Sequence, residues 1–236
     1  MQSLFRLVMF AAFAIILCSG AASGAEMVEA GFDQDQDLKV WATAGDVTRD
    51  ASAGRAGGAL RVGPGGSATL SLRDTDGAGK VEIWVKDDLT RPTDPKARRT
   101  GPRWGLKQSD GQVVVVGVIY APYLAGDTTY AVQAGDLKTP FAGVQYTGSK
   151  RTDKWQKWTF DFDPEKGLTI LVNDKKARFN WNTTSIKGFS GIVLIGDGGK
   201  DNGHVLLVDD VAVTLGGAVN AAPVPPPAPP SVVPDQ

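Results

Sequence analysis

The stretch Trp155–Phe179, WQKWTFDFDPEKGLTILVNDKKARF, decides the fold. Trp158, Phe160 and Phe162 fall on one face of an extended chain, and Thr159, Asp161 and Asp163 fall on the other. That period of two belongs to a strand with one face against a core. Pro164–Gly167 then supplies turn chemistry, because proline fixes φ and glycine accepts positive φ. Leu168–Val172 resumes the apolar run and Asn173-Asp174 turns the chain again, so the segment reads as an antiparallel meander.

Working outward, the same punctuation recurs. Strands are expected at Ala59–Val62, Ala68–Arg73, Lys80–Lys86, Gln112–Tyr120, Gly143–Thr147, Gln156–Asp163, Leu168–Val172, Ile192–Ile195 and Val205–Val213, separated by Gly, Asp, Asn and Pro clusters. With no convincing helix and no internal repeat, this pattern predicts an all-β domain over residues 26–217, a two-sheet antiparallel sandwich. Gln112–Tyr120 and Val205–Val213 are apolar on both faces and belong inside a sheet. Asp87–Pro102, with three prolines and many charges, reads as a long loop of the kind that is often functional.

The two ends differ from this middle. Arg6, an apolar run from Leu7 to Leu17 and small residues through Ala25 have the layout of a secretory signal cut before Glu26. The run is shorter than the roughly 20 residues of a membrane span, so no span is expected after cleavage. The expected compartment is secreted, periplasmic or cell-envelope. Residues 218–236 end in AAPVPPPAPPSVVPDQ, a proline-rich disordered tail that also suits a tether to the envelope. Cys18, the sole cysteine, leaves with the leader, so the domain must hold itself together without disulfides. Charge is nearly balanced, 25 basic against 26 acidic residues, which is unlike a nucleic-acid binder. One histidine, His204, and no cysteine in the mature chain leave no usual zinc site and no cysteine nucleophile.

Three features carry a family resemblance: Gly31-Phe32-Asp33 leading to Trp41, the meander from Arg151 to Lys176, and the closing Leu207-Val208-Asp209-Asp210-Val211. Together they resemble the concanavalin A-like lectin and glucanase jelly rolls, which include laminin-G-like modules. The closing strand is also similar to that of galactose-binding-like jelly rolls. The first resemblance implies a lectin-like domain, a glycosidase or an inert adhesion module, since the fold hosts all three.

Catalysis is disfavoured by the residues themselves. Glycoside hydrolysis needs two carboxyls facing one sugar. The superfamily's hydrolases carry Glu-x-Asp-x-x-Glu on a strand, and KVEIWVK offers Glu82 alone. Asp161 and Asp163 alternate with core phenylalanines and read as a solvated outer face.

Trp84 is the better clue. Val81, Ile83 and Val85 form the core face of their strand, which turns Trp84 outward between Glu82 and Lys86. An outward aromatic on a sheet implies either a covering loop, for which Asp87–Pro102 is available, or a sugar ring stacked on it. The candidate glycan site is therefore Trp84, Glu82 and Lys86, with Arg103 as a further polar partner and Tyr123 as a further aromatic. Asp209 and Asp210 sit in an apolar strand, so whichever faces inward needs a partner. Calcium shared with Asp33, Asp35 or Asp37 is one answer, and backbone N–H donors are the other. The expectation is an exported, non-catalytic carbohydrate-binding domain. The alternatives are an envelope module making protein contacts and, with less support, a divergent glycoside hydrolase.

Overall fold

The computed structural model describes residues 26–75, 77–91, 99–120, 128–136, 144–179, 186, 188–198 and 203–216. The expected leader, the proline-rich segment and Tyr123 lie outside them. The described chain is a succession of strands: β1 (Glu26–Ala30), β2 (Trp41–Ala44), β3 (Val47–Asp50), β4 (Ala59–Val62), β5 (Ser67–Thr75), β6 (Gly79–Asp87), β7 (Arg99–Lys107), β8 (Val113–Tyr120), β9 (Thr129–Gly135), β10 (Val144–Lys150), β11 (Gln156–Asp163), β12 (Gly167–Val172), β13 (Lys175–Lys176), β14 (Phe189–Ile195) and β15 (Leu206–Leu215). A 3₁₀ turn at Asp35–Val40 was not foreseen. No helix of the described residues is long and apolar enough to cross a membrane.

The strands form two antiparallel sheets. One has the order β13-β12-β11-β6-β15-β4-β3, with β1 also paired to β15; the other has the order β10-β9-β8-β7-β14-β5-β2. Between them lies one core, to which both sheets send aromatic rings. Trp104 of β7 and Tyr130 of β9 meet Trp158 of β11 edge to face at 5.5 Å, and Phe162 of β11 meets Phe189 of β14 at 6.2 Å. Such ring pairs add about 0.5–1.5 kcal/mol each beyond the area they bury. Phe32 packs on Trp41 at 5.9 Å, which ties the expected opening motif to the same core. The tryptophan strand is the one read from sequence: Trp158, Phe160 and Phe162 are fully buried while Asp161 is exposed.

Two irregularities interrupt the regular pairing. In β15 the register with β6 breaks between Asp209 and Ala212, and Asp210 takes φ 43°. Before the break β15 pairs with β4 on its other edge, and after it with β1. The bulge therefore marks a change of partner, as bulges commonly do at functional edges. The second irregularity is β7. The expected loop Asp87–Pro102 is shorter than proposed, because the chain re-enters the second sheet at Arg99, between β8 and β14. Pro102 sits within the Thr100–Arg103 register break, where a missing N–H costs no regular ladder bond.

Candidate functional site

On β6 the core residues Val81, Ile83 and Val85 are buried, and Glu82, Trp84 and Lys86 are half-buried on the outer face of the first sheet. Cross-strand pairing sets their neighbours. Lys157 of β11 stands opposite Trp84 on one side and Asp209 of β15 on the other, and Thr159 stands opposite Glu82. Lys157 and Lys80 each place Nζ 3.6 Å from Glu82, while Lys157 bonds Asp174 more closely at 2.8 Å. That bond, rather than Glu82, is the main reason the Lys157 ammonium is held above its ordinary value.

Trp84 has a cover, and it is an arginine. The guanidinium carbon of Arg55, from the loop between β3 and β4, lies 3.5 Å above the Trp84 ring centroid. Arg55 is anchored twice more: its backbone N–H donates to Asp209 Oδ2 at 2.8 Å, and its guanidinium pairs with Asp210. The residues flanking Trp84 therefore make a compact patch, an aromatic with Lys157, Glu82 and Lys86 around it and one removable cation on top.

The carboxylates considered for calcium are occupied by protein groups in the same corner. Asp33 accepts the Gly58 N–H at 3.0 Å, and Asp209 accepts the N–H groups of Arg55 and Asp210 at 2.8 Å. Burial pushes the Asp209 carboxyl up, and the charges of Asp210 and Asp33 push the same way. Asp35 faces Arg49 at 3.1 Å. Among the described residues, Asp33, Asp209 and Asp210 do not bring three carboxylate oxygens within 4.8 Å of one another.

A different acidic group does converge, and the sequence reading missed it. Asp87, Asp88 and His204 bring ligand-type atoms within 4.8 Å of one another. The place a cation would take is filled by Arg151: its Nε and Nη2 donate to the two Asp87 oxygens at 2.6 and 2.9 Å. His204 Nε2 lies 2.7 Å from Asp87 Oδ1, so that nitrogen carries the donated proton. His204 is fully buried, and its Nδ1 faces Asp197 at 3.9 Å. Burial alone would raise the Asp87 carboxyl, but the bonds from His204 and Arg151 outweigh it and hold it well below the usual carboxylate range. Burial and the Asp87 charge push the neighbouring Tyr130 phenol far up. A signal for this network existed, since the alternation that buries residues 81, 83 and 85 also carries Asp87 inward. Beside it, Leu89, Arg91, Thr128, Lys150 and Arg151 line a pocket of about 270 Å³.

Arg103 is not part of the Trp84 patch. It belongs to β7, in the opposite sheet, on the face turned away from Trp104 and Leu106.

No family model and no curated protein sequence matches the chain. Solved structures do match it in shape. The carbohydrate recognition domain of Emp47p superposes with a TM-score of 0.55 at 12% identity, over 84% of this chain and 100% of that one. The likeness is one of fold, a two-sheet antiparallel jelly-roll sandwich. The cellulose-induced protein Cip1 superposes with a TM-score of 0.54 at 11% identity, over 79% of this chain and 96% of that one.

Proposed function

We propose that this chain is an exported, non-catalytic carbohydrate-binding domain whose glycan site is the Trp84 patch. The observation that carries the reading is the half-buried indole on the outer face of a sheet, ringed by Lys157, Glu82 and Lys86. A pyranose presents an apolar C–H face to such a ring while its hydroxyls meet the flanking charges. Stacking would move Arg55 off the ring, which costs about 0.5–1 kcal/mol for an exposed cation–π contact. Once displaced, Arg55 keeps Asp210 as a partner. The likeness to a carbohydrate recognition domain supports the reading at the level of fold. Non-catalytic binding is supported by the ion pairs that tie Glu82 to Lys80 and Lys157. The export signal and a proline-rich tether at 218–236 complete the proposal.

The test is a glycan array with the purified chain and a Trp84→Ala control. Binding to a defined glycan set that Trp84→Ala abolishes is the expected outcome; no binding, or equal binding by the variant, defeats the site. The Arg55 cap favours one second reading, a module that makes protein contacts and in which Trp84 is simply packed. On that reading Trp84→Ala lowers stability and leaves every glycan signal at background.

A further inference from the structure

The outer face of the second sheet holds a charge that no carboxylate among the described residues balances. Arg103 on β7 stands opposite Gly117 of β8 and Ile195 of β14, and Gln133 of β9 stands opposite Val115 of β8. This face is not solvated: Arg103 is 6% exposed and Gln133 0%. Gly117 provides the space. A Cβ there would come within 2.7 Å of Arg103 Cγ and 2.2 Å of the Pro102 carbonyl oxygen, so a side chain at 117 would evict the arginine stem. With glycine in place, the guanidinium crosses β8 and reaches β9, where Nη1 donates to Gln133 Oε1 at 3.3 Å. That bond is long, and Nε has no hydrogen-bond partner. Among the described residues no carboxylate pairs with Arg103.

A guanidinium carries five N–H donors in one plane. Burying it without a counter-ion costs several kcal/mol. Burial pushes this group down to about 10, which still leaves it charged at neutral pH. The same fold gives Arg151 a two-pronged carboxylate, so the missing anion at Arg103 is a local departure and not a habit of this chain. A buried polar group short of partners calls for an explanation, and a bound ion is one.

We propose that Arg103 and Gln133 form a carboxylate-binding site on the outer face of the second sheet, in which the ligand's anionic group supplies the counter-ion. A carboxylate accepts two parallel N–H bonds from the guanidinium fork, and the Gln133 amide lies beside it. The flanks are apolar: Val113, Val115 and Val193 cluster with Ile195 on this face, which suits a compact acid. The carboxylate is shared by two sources, an acidic sugar and a simple organic acid. The site is on the opposite sheet from Trp84 and stands or falls independently of it.

The experiment measures thermal unfolding and calorimetric titration of the full chain with glucuronate, acetate and glucose, in wild type, Arg103→Met and Gln133→Leu. Wild type is expected to bind at least one of the acids with a raised unfolding temperature, and glucose is expected to do nothing. Arg103→Met is expected to unfold at a higher temperature than wild type without ligand and to lose at least tenfold in acid affinity. Gln133→Leu, which keeps the charge, is expected to weaken binding less. Glucuronate without acetate makes the site a uronate site, and both together make it a general carboxylate site. Wild type unresponsive to both acids overturns the proposal, as does an undiminished response in Arg103→Met.

Discussion

Arg151 and Arg103 are both buried arginines of the same sandwich, and they are provided for in opposite ways. Arg151 bonds both oxygens of Asp87 and touches the Thr90 carbonyl at 3.3 Å, inside a network that includes the only histidine. Arg103 meets one amide oxygen at long range. The first arrangement satisfies the guanidinium with a carboxylate of the same chain, and of the His204 ring nitrogens only Nδ1 lacks a hydrogen-bond partner. Among the described residues, the second has no anion. The contrast sets an arginine matched by a carboxylate beside one matched by a single amide oxygen.

The sharpest way to break the contrast is to remove one partner of the closed network. Arg151→Met strands the Asp87 charge in the interior and is expected to cost about 3–5 kcal/mol in urea unfolding, the usual penalty for half of a buried pair. Arg103→Met should move stability in the other direction, and equal losses at the two sites would erase the distinction. Next in size is the response to acid. The Asp87 carboxyl is depressed in the folded state, so its contribution is complete above the unfolded value near 3.8 and fades as pH falls from there toward the folded value. Unfolding midpoints between about pH 6 and pH 2 should fall along that limb, with a shallower fall in Asp87→Asn. Asp209 works with the opposite sign: its raised folded value means that ionisation costs stability, and the cost is relieved as pH falls through that value. Asp209→Asn should therefore lose less at neutral pH than Asp87→Asn does.

The smallest expected effect is at the Trp84 cap. Arg55 and Asp210 are part-exposed, so their pair is worth about 0–1 kcal/mol. Arg55→Ala should lower stability by no more than about 1 kcal/mol, expose Trp84 to a fluorescence quencher, and tighten glycan binding by about two- to fivefold. Weaker binding would instead make Arg55 a direct sugar contact.

How much of this was legible varied with how local the signal was. The alternation of Trp158, Phe160 and Phe162 and that of Val81, Ile83 and Val85 belong to single strands, and both faces came out as read. The outward position of Trp84 with Glu82 and Lys86 followed from the same rule. Asp87 lay within reach of that rule, but it ends the run, where charge suggests the start of a loop. β7 was not legible: Gly101, Pro102, Arg103 and Gly105 interrupt any period, and the strand is held by its neighbours β8 and β14. Because its sheet partner β14 comes much later in the chain, nothing local placed Arg103 opposite the Trp84 face. The Arg55 cap is non-local in the same way, since a loop between β3 and β4 reaches the bulge of the last strand.

The pairing of β1 with the second half of β15 sets Glu26 against Leu215. Paired residues of antiparallel strands lie about 5 Å apart, so the sandwich is entered and left through a single doorway. A short linker joining those two points should permit circular permutation with new ends in a surface turn. The same geometry would let the whole unit be spliced into a surface turn of another protein without prying that host open.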